Sequence, residues 1–118
     1  MISLKFPFRL ISKDNDCTIN RYTKRKILSP KFRAFEEQVK LFAKQQYKEA
    51  PIRGDLKVCI VACYKTKVHC DLFNSPKGCI DALQGIVIEN DRQIKVGKIA
   101  VAEGMAADKF EVDIEVIE

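Results

Sequence analysis

Alternation of apolar and polar residues marks both ends of the chain as strands. Near the N-terminus every second residue is apolar: Ile2, Leu4, Phe6, Phe8 and Leu10. This period is typical of a strand with one buried face. Since Pro7 cannot donate a ladder hydrogen bond, we expect this strand at a sheet edge or at a bulge. Phe110, Val112, Ile114 and Val116 repeat the alternation and predict a second amphipathic strand.

Two further strands are predicted between these ends. The run from residue 56 to residue 64, LKVCIVACY, is almost entirely apolar and rich in β-branched side chains. A central strand that is covered on both faces has this composition. Residues 93–102 predict another strand, with a bulge expected at Gly97.

A helix is predicted between the first two strands of the chain. Ser29 and Pro30 form a helix-start signal, and an apolar stripe follows at helical spacing, extending the helix to about Tyr47. Its members are Phe32, Phe35, Val39 and Phe42. A second, shorter helix is predicted after a cap at Asn74 or Ser75, with Pro76 in its first turn and Gly85 at its end.

The predicted element order is β, loop, α, β, α, β, β. It indicates an α/β (α+β) fold with a mixed sheet of about four strands and two helices, β-α-β-α-β-β without the loop. A chain of 118 residues is long enough for one domain with a real core, so we expect one domain over residues 1–118.

The net charge of +5 is unevenly distributed along the chain. Residues 1–55 carry 13 Lys/Arg against 6 Asp/Glu, whereas residues 56–118 carry 8 against 10. Within the polar stretch 12–29, a candidate DNA-binding loop combines four basic side chains with an aromatic one: Arg21, Tyr22, Lys24, Arg25 and Lys26. Such a loop can hold phosphates and stack on a base. A solvated loop that serves only solubility fits these residues equally well.

Five cysteines occur without any CxxC pair: Cys17, Cys59, Cys63, Cys70 and Cys79. A zinc site from His69, Cys70 and Cys79 would lack a fourth ligand at standard spacing, so reduced, structural cysteines are the better interpretation. No apolar run approaches the roughly 20 residues that cross a bilayer, and the N-terminus does not resemble a signal peptide. We therefore expect a cytoplasmic protein.

Two carboxylates and one lysine are the candidate catalytic residues. Asp71 follows the predicted central strand, Asp91 precedes the next strand, and Lys77 lies in the first turn of the second helix. If the two strands are neighbours, the carboxylates converge and could bind Mg²⁺, which accepts one or two carboxylates and fills its shell with water and phosphate. Such a metal can activate water for phosphodiester hydrolysis, and Lys77 could pair with the phosphate. The same three residues could instead belong to an ordinary loop, helix and turn.

The order of residues in DLFNSPKGCIDAL, followed by ENDRQI, resembles the RusA family of Holliday junction resolvases. The family shows a D-x-D-N opening, a lysine four residues past its second aspartate, an F-D-A-L-like helix and a D-D-x-x-[VI] turn. The matching residues here are Asp71, Asn74, Lys77, Asp81-Ala82-Leu83 and Asp91, with Asn20-Arg21-Tyr22 upstream. In the order of its elements the resemblance covers nearly the whole chain, but the residues that match the family motifs specifically lie between residues 69 and 94.

The resemblance implies a homodimeric, Mg²⁺-dependent endonuclease, with Mn²⁺ as an alternative metal, that nicks four-way DNA junctions symmetrically. It also implies a bacterial or bacteriophage origin. Two positions depart from the family pattern: Phe73 replaces the second motif aspartate, and Asn90 replaces the first acid of the turn. Phenylalanine cannot bind a metal, so Glu89, Asp81 or a substrate phosphate would have to compensate. A junction-binding protein without nuclease activity is therefore the alternative function.

Overall fold

The computed structural model describes residues 1–12, 17–19, 26–28, 30–69, 72 and 76–117. Two α-helices, α1 (Pro30–Gln46) and α2 (Pro76–Leu83), lie among six strands. The strands are β1 (Ile2–Phe6), β2 (Cys17–Ile19), β3 (Lys26–Leu28), β4 (Leu56–Cys63), β5 (Ile94–Ala102) and β6 (Lys109–Val116). The predicted mixed sheet of four strands with two helices is confirmed.

The main sheet has the strand order β1-β6-β4-β5. β6 pairs antiparallel with both β1 and β4, whereas β4 and β5 run parallel. β1 is thus an edge strand, as Pro7 predicted, and the chain passes through α2 between β4 and β5. A parallel pair needs such a crossover because a short hairpin cannot reverse the chain twice.

One face of the sheet carries the hydrophobic core. Alternate residues of β4 are at most 3% exposed: Leu56, Val58, Ile60 and Ala62. The two helices pack against one another and join these residues in one hydrophobic cluster. We call this side of the sheet the helix face and the opposite side the open face.

The open face corrects one prediction. The apolar run of β4 predicted a strand covered on both faces, but Val61, which points away from the helices, is 42% exposed. Cys59 and Cys63 beside it are half-buried. Both helices lie on one side because they pack against each other, so the described chain leaves the other side uncovered.

The helices begin and end close to the predicted positions. α1 buries Phe32, Phe35, Val39 and Ala43, while Phe42 packs at the margin of the core. After α2, Gly85 adopts a φ of +83°, a conformation that favours glycine, and the amide of Val87 donates to the Leu83 carbonyl at 3.0 Å. No helix in the described ranges is long and apolar enough to cross a membrane.

Two local predictions need correction. The stretch predicted as a polar loop, residues 12–29, contains an antiparallel ribbon in which β2 pairs with β3. The expected bulge at Gly97 is absent, because the register between β4 and β5 shifts between Leu56 and Lys57 instead. The additional residue on β5 is Lys95, since Leu56 pairs with Ile94 and Lys57 pairs with Val96.

Candidate metal and DNA site

The turn between α2 and β5 is built around two amide side chains. A short 3₁₀ helix spans Asp91–Gln93, and Asn90 caps it: its Oδ1 accepts the Arg92 amide at 2.8 Å. In return, Gln93 Oε1 accepts the amides of Asn90 at 2.9 Å and of Glu89 at 2.8 Å. This reciprocal arrangement is a capping box, which satisfies donors that the helix itself leaves unpaired.

The same turn is attached to the segment that precedes β4. Gln93 Nε2 donates to the carbonyls of Ile52 at 2.8 Å and Gly54 at 3.1 Å. Arg53 Nε lies 3.1 Å from Glu89 Oε1. These bonds hold the turn against the end of the sheet at which β4 begins.

Asp91 is presented to solvent by this turn. Its side chain is exposed, and its carboxylate makes no hydrogen bond or ion pair with the residues that the structure describes. A carboxylate in this condition can accept a hard cation without first losing a protein partner. The chemistry of Asp91 therefore fits the metal-ligand role predicted for it.

The capping geometry explains the departure at Asn90. Asparagine and aspartate are equally good capping residues, because both place an oxygen against the amides of the first turn. The Asn90 side chain makes that contact here, so the substitution removes a negative charge and keeps the shape of the turn. The turn therefore holds Asp91 in the same way as it would with an aspartate at position 90.

Lys77 lies in the first turn of α2. Its side chain is exposed and forms no ion pair with any residue in the described ranges. The N-terminal turn of a helix offers unpaired amides and a positive dipole end, which favour an anion. The position of Lys77 thus fits contact with a phosphate.

Asp71 lies outside the described residues, but the segment that leads to it is tightly held. The ring of His69 stacks on the buried ring of Tyr64, with 4.4 Å between centroids, and His69 Nε2 lies 2.9 Å from Glu103 Oε2. The Arg9 guanidinium lies 4.9 Å from the centre of the Tyr64 ring and also donates to the Val68 carbonyl. His69 was expected at an exposed strand end, and this stacked, half-buried position corrects that expectation.

The parallel pairing of β4 and β5 changes the geometric argument for convergence. The two strands are neighbours, as predicted, but Cys63 at the end of β4 pairs with Ala102 at the end of β5. Asp91 precedes β5 and so lies at the opposite end of the sheet. Only a return of the chain after β4 can bring Asp71 toward Asp91.

Leu72, the one described residue between His69 and Pro76, lies beside β5. This residue lines a cavity of about 490 Å³ together with Ile99 and Val101, beside β5 and short of the strand's end. The convergence of Asp71 and Asp91 stays a prediction.

The remaining predicted site residues are only partly described. Arg21, Tyr22, Lys24 and Arg25 lie outside the described residues, and Lys26 is the first residue of β3. Their role in DNA binding stays a prediction.

Cys59, Cys63 and Cys79 are free. Cys79 is fully buried in α2, and burial raises the pKa of its thiol to about 12. A protonated thiol packed in the core is a poor metal ligand. The described ranges contain no cluster of three metal-ligating side chains.

Comparison with known families shows which family the chain belongs to. The sequence matches the family model for endodeoxyribonuclease RusA over residues 7–116. The chain belongs to the RusA family. The match contains all of the predicted site residues, and the RusA-like chain has the four strands of its main sheet and its two helices in the predicted order. No curated protein matches the chain.

RusA-family nucleases are divalent-metal dependent, and the donor set here can be compared with that requirement. Asp91 offers a free carboxylate, whereas Glu89 is paired with Arg53 and the Asp81 carboxylate accepts a hydrogen bond from Gln84 Nε2 at 3.1 Å. Glu89 and Asp81 are thus weaker candidates than Asp91 for replacing the ligand lost at Phe73. Among these described acids Asp91 is the one whose surroundings fit a metal ligand, and the role of Asp71 stays a prediction.

Sequence reasoning missed the residues that support the RusA site. Gln93 was predicted only as the start of a strand, although the N-x-x-Q spacing from Asn90 is the capping-box pattern and could have been recognised. The Arg9, Tyr64 and His69 contacts had no such signal, because 55 residues separate Arg9 from Tyr64 in the chain.

Proposed function

We propose that this RusA-family chain is a structure-specific endodeoxyribonuclease that cuts four-way DNA junctions in a Mg²⁺-dependent reaction, with Mn²⁺ as an alternative metal. The observation that carries the proposal is the family match over residues 7–116. The exposed Asp91 carboxylate and the exposed Lys77 ammonium support it, because both are available to a metal and a phosphate.

In this proposal Asp71 and Asp91 hold the metal, and the metal would activate water and stabilise charge on the phosphodiester. Lys77 would pair with the scissile phosphate or the leaving oxygen. The capping box at Asn90 and Gln93 would keep the Asp91 carboxylate in position without binding the metal itself.

The basic stretch would hold the arms of the junction. Arg21, Lys24, Arg25 and Lys26 would neutralise phosphates, and Tyr22 would stack on an exposed base. We further propose one domain over residues 1–118 that works as a homodimer, since symmetrical nicking of a four-way junction needs two active sites. The expected setting is the cytoplasm of a bacterium, with a chromosomal or phage-derived gene.

The decisive test is cleavage of an end-labelled four-way junction. In Mg²⁺ the wild-type protein should produce symmetrical nicks, and replacing Mg²⁺ by Ca²⁺ should leave binding without cleavage. Asp71→Asn and Asp91→Asn should each reduce the cleavage rate by at least about 100-fold, while junction binding in Ca²⁺ survives. Lys77→Ala should reduce the cleavage rate by about 10²–10³-fold.

Two substitutions on α1 serve as matched controls. Glu37→Gln removes one exposed carboxylate and Lys44→Ala removes one exposed ammonium, and both residues lie outside the proposed site. Neither should change cleavage by more than about twofold. Equal losses in the controls and in the site variants would contradict the assigned roles.

Phe73 supports a second candidate function, a junction-binding protein whose nuclease activity is weak or lost. Salt-sensitive junction binding without nicking in Mg²⁺ or Mn²⁺ would favour it over the nuclease. Phe73→Asp should then raise the affinity for Mn²⁺, measured by calorimetry, and restore some cleavage. If neither quantity changed, the lost-ligand explanation would be wrong. Absence of junction binding at low salt would reject both functions.

A further inference from the structure

Two turns at one end of the main sheet lie side by side. The first, residues 64–69, follows β4, and the second, residues 103–108, joins β5 to β6. They are neighbours because Cys63, at the end of β4, pairs with both Ala102 and Lys109. We call these two turns the tip.

The tip exposes apolar side chains. Val68 is 80% exposed, more than any other large apolar residue in the described ranges except Met1, and Met105 is 40% exposed. Ala106 and Ala107 beside Met105 are exposed as well. Single exposed apolar residues are common, but two of them on adjoining turns form a surface that a partner can cover.

The backbone of the tip is held in place around Tyr64, whose ring is fully buried. The amide of Met105 donates to the Tyr64 carbonyl at 3.0 Å, and this bond joins the two turns. His69 stacks on the Tyr64 ring. Arg9 contacts the same ring and donates to the Val68 carbonyl. Val68 and Met105 are therefore presented to solvent by a backbone that has fixed contacts.

Three lysines lie around the two apolar side chains. Lys65 and Lys67 belong to the first turn, and Lys109 directly follows the second. All three are exposed, and none of them forms an ion pair with a residue that the structure describes. Glu111, the first acid of β6, has Lys5 as its cross-strand neighbour. The three ammonium groups are therefore available to an anionic partner.

The acidic residues of the tip are already engaged. The Asp108 carboxylate lies 3.7 Å from the Arg9 guanidinium and accepts the Lys65 amide at 2.9 Å. Glu103 Oε2 lies 2.9 Å from His69 Nε2. Cations thus outnumber acids at the tip, and a polyanion with apolar groups of its own is the partner that fits this surface.

We propose that the tip binds the branch point of a DNA junction, with Val68 and Met105 against the faces of unstacked bases and the three lysines against neighbouring phosphates. Bases at a branch point can expose apolar faces that a continuous duplex keeps stacked. Apolar side chains that enter a base stack are a general means of binding distorted DNA. The inference rests on the proposed function and deepens it, because it names the part of the substrate that this surface contacts.

The place of the tip in the chain suits this role. Val68 precedes Asp71, the predicted metal ligand, by three residues. Three residues span at most about 11 Å, so a branch point held at the tip would lie near the predicted site of cleavage. A linear duplex would use only the lysines, since its bases stay stacked. The apolar pair therefore favours a junction over a duplex.

The first experiment uses 2-aminopurine, a base analogue whose fluorescence rises when it leaves the stack, at the branch point of a four-way junction. In Ca²⁺ the wild-type protein should raise this fluorescence by at least about twofold, because the tip keeps the base unstacked. Val68→Ser and Met105→Ser should each remove most of the rise. Leu41→Ser is the matched control, since Leu41 is 54% exposed on α1, and it should keep the rise. A rise that persists in both tip variants would overturn the proposal.

Affinity for a junction and for a linear duplex, both measured in Ca²⁺, separates apolar contact from charge. Val68→Ser and Met105→Ser should each weaken junction binding about tenfold, because each removes an apolar contact with a base. Duplex binding should change by no more than about twofold. Equal losses on both DNAs would contradict recognition of the branch point.

The lysines are tested by the salt dependence of binding. Lys67→Ala should weaken binding of both DNAs and reduce the slope of log K against log salt by about one, because one phosphate contact is lost. Lys44→Ala removes an exposed ammonium on α1 and should leave the slope unchanged. A slope that is the same in Lys67→Ala and in the wild type would remove this lysine from the contact.

Failure of this inference can be told from failure of the proposed function. If the wild-type protein binds no junction, both are lost. If it binds junctions and the two serine variants bind them as tightly, only the assignment of the tip is wrong. Both replaced side chains are exposed, so each variant should unfold within about 2 °C of the wild type, and thermal denaturation checks this.

Discussion

Two adjacent residues of β4 show how differently the two faces of the sheet are built. Ile60 points to the helix face and is 2% exposed, whereas Val61 points to the open face and is 42% exposed. Both are β-branched and apolar, so the sequence does not distinguish them. The difference arises because α1 and α2 pack together on one side. An apolar run therefore predicts that a strand is buried, but it does not show which face of the strand the helices cover.

The largest expected difference between the faces is in stability. Ile60→Ala should lower the free energy of unfolding by about 2–5 kcal/mol, because it leaves a cavity in a close-packed core. Val61→Ala should change it by no more than about 0.5 kcal/mol at concentrations where the protein is monomeric. Urea denaturation of both variants measures the difference. Equal losses in dilute protein would mean that the chain itself covers both faces.

The pH dependence of stability should depend on the buried thiol of Cys79. Burial raises the pKa of this group from 9.0 to about 12, so the folded state holds the proton more tightly than the unfolded state. Stability from Cys79 is complete below pH 9 and should fall as the pH rises toward 12, by up to about 1.4 kcal/mol per pH unit. Denaturation of wild type and Cys79→Ala between pH 8 and 10 isolates this contribution.

The open-face cysteines provide the control for Cys79. In native, monomeric protein a maleimide should label Cys59 and Cys63, which are half-buried, and should leave Cys79 unlabelled until the protein unfolds. Labelling of Cys79 at the same rate as Cys59 would show that the helix face opens readily.

A smaller effect is expected where β4 leaves the helix face. The fully buried Tyr64 donates its hydroxyl to the Leu10 carbonyl at 2.9 Å, and Tyr64→Phe should cost about 1 kcal/mol. Tyr47→Phe is the matched control, since Tyr47 donates to Ala50 from a half-buried position and should lose only a few tenths of a kcal/mol. Thermal denaturation compares the two, and a larger loss at Tyr47 would contradict the assignment.

Local patterns predicted most of the elements correctly. Period-two alternation located β1 and β6, and the stripe from Phe32 to Val39 located α1, because these patterns depend on neighbours within a few residues. The ribbon of β2 and β3 was missed because its two strands have only three residues each, too few for a period to be visible.

The candidate site was predicted from residue order, and its surroundings were not. The resemblance to the RusA family singled out Asp71, Lys77 and Asp91, and the family match supports that recognition. The reasoning from strand ends was weaker, since it did not anticipate that β4 and β5 are parallel. That pairing places Asp91 at the end of the sheet where β4 begins.

The sequence alone determined the kinds of elements, the family and the residue types available for chemistry. Only the tertiary structure decided that both helices cover one face, that Asn90 and Gln93 cap the turn carrying Asp91, and that His69 stacks on Tyr64. The physical reason is distance along the chain. Periodicity and capping signals act over a few residues, whereas strand pairing and helix packing join residues whose contacts depend on the whole fold.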